Sequence, residues 1–115
     1  MQNPAPQPTT KTCLPVPVGA ARHYRQMDLR RRILQALRNE PCYIANEKCL
    51  LFAVREQGHA ISRDQLIVEL AWLDQIAQAL ICSWWGSLCV ANLTDKGLAV
   101  AEGTLSLPGI ATSAG

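Results

Sequence analysis

No stretch of this chain stays apolar for the ~18 residues that a bilayer crossing needs, so the sequence offers no membrane span. Residues 1–19 hold one charged side chain, Lys11, and no long apolar run, and do not read as a secretion signal. A cytoplasmic setting follows, where the five cysteines read as reduced thiols. There is no Cys-x-x-Cys. Cys42 and Cys49 stand seven apart, as do Cys82 and Cys89, whereas zinc and related metals need ligands grouped at short spacing. The cysteines are therefore expected to be structural, and no metal or cofactor is expected. Histidine is scarce: His23 and His59 are the two in the chain. His59 reads as a turn residue contacting backbone. No Ser-His-Asp set, phosphate-binding glycine loop or matched carboxylate pair is present, so the chain does not read as an enzyme.

What remains is ordinary globular composition. Of 115 residues, 49% are apolar and 17% charged, enough for one compact domain with a modest core. Charge is unevenly placed. Residues 1–40 carry seven basic side chains against two acidic ones, and residues 41–115 carry four against seven. Attraction for a polyanion would come from the first third.

Five of the seven prolines stand in residues 1–19, which read as a proline-rich arm without fixed structure. A first helix is predicted over about 20–39, with Leu29, Ile33, Leu34 and Leu37 on its buried stripe and Arg30, Arg31, Gln35 and Arg38 off it. Pro41 ends it, and Pro41–Ile44 reads as a short extended link. Asn46 is placed to cap a second helix that buries Leu50, Leu51, Ala53 and Val54 and stops at Gly58. Ser62 and Gln65 form a capping box for a third helix. Its stripe is Leu66, Leu70, Leu73 and Ala77, with Trp72 beside it and Arg63, Asp64 and Glu69 exposed. Residues 79–85 and 88–93 are rich in strand formers and flank Gly86-Ser87, a hairpin signal. With that turn, Cys89 faces Trp84 and Cys82 faces Ala91. Thr94 caps a last helix running to about Glu102, and residues 104–115 read as a tail. Helix, helix, turn, helix, hairpin, helix is a mainly α fold with a small β-hairpin, the winged helix-turn-helix arrangement, over residues 20–103.

The chain resembles a family of small winged-helix proteins of Mu-like phages and prophages, often labelled ArsR-type regulators. The resemblance covers residues 27–110. It is carried by Ile33-Leu34-Gln35-Ala36-Leu37, by the run from Gly58 to Gln65, by Glu69-Leu70-Ala71-Trp72-Leu73, by the run from Val90 to Leu98 with Val100-Ala101, and by Pro108-Gly109-Ile110. It implies a phage or prophage origin, a bacterial host cell and a winged-helix fold. Two departures stand out. The arm has no counterpart in the family pattern. Ile76-Ala77-Gln78-Ala79 replaces the usual Gln-Gly before the hairpin, so a third helix that runs on is an open alternative.

Two functions follow. In the first, the chain is a phage-encoded protein that binds double-stranded DNA, as a transcription regulator or a DNA-packaging helper. Ser62, Arg63 and Gln65 would read base edges, and Arg30, Arg31 and Arg32 would contact phosphate. Against this, the wing tip Trp85-Gly86-Ser87 has no positive charge, and Asp64 and Glu69 repel phosphate. In the second, the same fold is an adaptor for another protein, with another phage product as the candidate, without strong DNA binding. Trp84 and Trp85 alternate faces of the hairpin, so at least one should face the core while an exposed one anchors a partner. A homodimer is expected, built from Tyr24, Met27 and Leu29 of the first helix with Leu98, Val100, Leu105, Leu107 and Ile110 of the closing segment; the alternative is a monomer whose exposed apolar patch awaits a different protein.

Overall fold

A computed structural model describes residues 18–112. The arm expected over 1–19 lies outside the described residues except for its last two, which belong to the first helix. The elements are α1 (Val18–Arg38), β1 (Ile44–Asn46), α2 (Glu47–Glu56), α3 (Arg63–Gln75), β2 (Leu80–Trp85), β3 (Leu88–Leu93) and α4 (Asp95–Ala101). The fold is mixed: four helices around one face of a three-stranded antiparallel sheet, in the order β1-β3-β2. The predicted hairpin is thus two thirds of the sheet.

Local chemistry sets most boundaries. Cys49 N–H donates to Asn46 Oδ1 at 3.0 Å and starts α2. Ser62 and Gln65 close a full capping box on α3. Gly97 N–H donates to Thr94 Oγ1 at 3.0 Å and starts α4. The expected stripes are buried: Leu29, Ile33, Leu34 and Leu37 of α1 meet Leu66, Leu70 and Leu73 of α3, with Leu50 and Val54 of α2, in one core. Of the other two α2 positions expected inside, Leu51 and Ala53 are half-buried.

Two connections differ from expectation. Pro41–Tyr43 is a tight turn and not an extended link, with Cys42 and Tyr43 at φ 58° and 59°. It reverses the chain after α1 so that β1 can pair with the middle of the sheet, Ala45 opposite Ala91. The second connection follows α3. The helix does not run on past Gln75. Gln78 takes a left-handed φ of 56°, Ala79 N–H donates to Leu73 O at 2.8 Å, and Thr94 Oγ1 donates to Gln78 O at 2.9 Å. These bonds hold a non-glycine residue in the left-handed region.

The closing segment is docked, not a tail. Ile110 is buried, Ala111 N–H donates to Met27 O at 3.1 Å, and Arg30 Nη1 donates to Gly109 O at 3.0 Å. Gly109 has φ 88°, and a Cβ there would press on the Trp72 indole. Of the apolar groups counted toward a dimer, Leu29, Val100 and Ile110 are buried within one chain, whereas Tyr24 and Leu105 stay exposed.

Candidate functional site

Of the residues expected to face DNA, Arg63 is the most heavily engaged. It forms an ion pair through Nε with the buried Glu47 carboxylate, and its Nη2 donates to Glu47 Oε1 at 3.0 Å and to Ser87 O at 3.1 Å. Glu47 Oε1 also accepts Cys89 N–H at 2.7 Å. One guanidinium thus ties the start of α3, the start of α2 and the hairpin tip together. The hydrogen bond from Arg63 holds the Glu47 carboxyl below its ordinary pKa against the opposing cost of burial, helped by the Cys89 amide. Arg63 itself is raised by the same partner. Ser62 and Gln65 are exposed, but each is used in the other's cap.

The α1 arginines are engaged too. Arg30, expected on the exposed side, is 6% exposed. Its Nε lies 2.6 Å from Glu69 Oε1, and its Cζ sits 3.7 Å from the Trp72 ring centre. Glu69, expected to be exposed, is buried, and its second oxygen accepts Gln26 Nε2–H at 2.7 Å. Arg31 and Arg32 both face Asp28, at 3.6 and 3.5 Å. Asp28 in turn lies 2.8 Å from Nε2 of the buried His59. Partial burial works against the Asp28 charge, but His59 and Arg32 together outweigh it and lower its pKa. The His59 backbone N–H donates to Val54 O, but its imidazole meets the Asp28 carboxylate and not backbone, as a strut between the α2–α3 turn and α1.

A signal for the buried charges was present. Arg30 precedes Ile33, Leu34 and Leu37 by three, four and seven residues. Glu47 stands in the same relation to Leu50, Leu51 and Val54, and Leu66 to Glu69, Leu70 and Leu73. Spacing alone puts all three on buried stripes; their charge argued otherwise.

Beyond the half-exposed Arg63, held by Glu47, and the capping Gln65, α3 presents to solvent the row Asp64, Val68, Ala71 and Gln75, which contains no cation. The open face of the sheet carries no charged side chain. Buried positions alternate on one face of the sheet, at Ala45, Leu80, Cys89, Ala91 and Leu93. The opposite face carries Ile44, Asn92 and Ile81 in one row, Asn46, Val90 and Ser83 in the next, and Leu88 with Trp85 at the tip. Among the described residues no helix covers that face: Ile44, Ile81 and Trp85 are exposed, and Val90 and Leu88 half-buried. The two tryptophans do point to opposite faces, but neither is buried. Trp84 is 54% exposed and Trp85 72%. The inner position at that level is filled by Cys89 of the central strand, opposite Trp84, which leaves Trp84 on the edge strand outside the core.

Cys82 and Cys89 lie on the inner face in the expected register, opposite Ala91 and Trp84. Burial raises both thiols, and Cys82 reaches about 12 with a further push from Cys89 and Asp74. Cys42 and Cys49 are exposed. Among the described residues no three His, Cys, Asp or Glu side chains gather as a metal site would require, and no helix is long and apolar enough to cross a membrane.

No family model, curated protein or solved structure matches the chain.

Proposed function

We propose that this chain is a winged-helix module that docks another protein through its hairpin tip and the open face of its sheet. The helix order, with β1 closing onto β3 and the hairpin following α3, supports the winged-helix reading. The observation that carries the function is the uncharged sheet face on which Ile44, Ile81, Val90, Leu88 and Trp85 stand among Asn46, Asn92 and Ser83. Exposed apolar side chains set among uncharged polar ones and ending in an indole are how proteins anchor one another. The phage resemblance suggests the partner: another product of the same phage.

Duplex DNA is the second reading, favoured by Arg22 and Arg25, which stay exposed on α1. It is weakened on α3, where Arg63 is tied to Glu47 and Ser87 and the exposed row has no cation. A photoreactive side chain at position 85, and separately at 64, decides between them in cells carrying the neighbouring phage genes. The proposal expects a discrete protein adduct from 85 that disappears in the Ile81→Asp variant. DNA adducts from 64 and none to protein from 85 would overturn it. With purified protein, binding to random duplex should be weak, with a shallow dependence of log affinity on log salt.

A further inference from the structure

A second surface is built differently. The first half of α1, the α2–α3 turn and the start of α3 enclose an open cleft of about 700 Å³. Its α1 wall carries Arg22 and Arg25, one turn apart and exposed. Neither forms an ion pair with a described residue. This sets them apart from Arg30, Arg31, Arg32, Arg38 and Arg63, each of which meets a carboxylate. The floor is apolar: Leu29, Ile61 and Val68, the last 63% exposed. Glu69 also lines the cleft, but both its oxygens are taken by Arg30 and Gln26. Asp64 stands on the far, α3 wall.

We infer that this cleft is a docking site for an acidic, aliphatic segment of another protein, whose carboxylates pair with Arg22 and Arg25 while its aliphatic side chains cover Ile61 and Val68. Charge complementarity selects the first half of that description, since two cations without carboxylate partners share one wall. The apolar floor selects the second, because a phosphate chain would leave Val68 uncovered. The chain's own residues 1–17 contain no acidic side chain, so they do not supply the ligand. The site is separate from the open sheet face, and either can fail without the other.

The probe is a short fluorescent peptide with aspartates and glutamates on one side and leucines on the other. Its first control replaces the acids by their amides, and its second replaces the leucines by alanine. Fluorescence anisotropy at fixed salt should show the acidic peptide binding at least about tenfold more tightly than either control, the scale expected of two part-exposed ion pairs plus one covered aliphatic group. The double variant Arg22→Glu with Arg25→Glu should lose that advantage while melting like the parent, since both side chains are exposed. Asp64→Asn should tighten binding, and Trp85→Ala should leave it unchanged. Equal affinity for the acidic and amide peptides would sink the proposal, as would retention by the double variant. Tighter binding of random duplex than of the peptide, in competition for Arg22 and Arg25, would assign the cleft to DNA. A concentration-dependent dimer broken by the double variant would assign it to a second copy.

Discussion

The residues that most define this molecule are charges placed where apolar side chains usually stand. Glu47 is 4% exposed and accepts from both Arg63 and the Cys89 amide. Its carboxyl is held below the ordinary value, so its contribution is complete above that value and is lost as pH falls through the folded pKa. Glu47→Gln should cost about 1–3 kcal/mol at neutral pH. It should also flatten the fall in stability between about pH 5 and about pH 2. Denaturant midpoints across that range check both, and an acid limb as steep as the parent's would show that other carboxylates dominate it. These pairs also mark the limit of sequence reading. Arg63 and Glu47 are separated by 16 residues, His59 and Asp28 by 31, and Arg30 and Glu69 by 39. Periodicity reports that a position is buried and says nothing of what it meets. A charge on a stripe is then read as exposed unless its partner is known.

At the scale of elements, the sequence is a good guide wherever the cause is local. The caps at Asn46, Ser62 and Thr94 and the turn at Gly86-Ser87 each rest on neighbours a few residues apart. The junctions were harder, because their conformations answer to contacts made elsewhere. Gln78 is one. A left-handed residue other than glycine costs about 1–2 kcal/mol, and glycine's greater freedom in the unfolded chain returns about 0.4–1 of that. Gln78→Gly should raise stability by up to about 1 kcal/mol, visible as a higher urea midpoint with unchanged slope. A lower midpoint would mean that the Gln78 side chain contributes more than its backbone costs. Gly97 is the opposite case. α4 lies so close to the backbone before β2 that a Cβ on Gly97 would collide with Ala79 O and press on Leu93. Gly97→Ala, a gain in intrinsic helix preference, should nevertheless destabilise by about 1–3 kcal/mol or more. A rise in melting temperature would contradict that packing.

For the whole molecule, the closing segment is part of the domain. Ending the chain at Gly103 removes the buried Ile110 and the Gly109 carbonyl that Arg30 uses. The expected loss is at least about 2 kcal/mol, or roughly 8 °C or more in Tm. A shortened chain that melts like the full one would return the segment to the status of a tail. One further feature bears on how many molecules can share a solution. β2 is the last strand of the sheet, and its Cys82 N–H points away from β3 to Asp74 Oδ2, 3.0 Å away. An open strand edge is a template on which a second chain can add, and a third on that, toward a fibril. A carboxylate already seated on the middle of the edge denies the newcomer its central hydrogen bond and meets it with a negative charge. The apolar side chains beside it can then stay exposed for a partner without the sheet growing across β2.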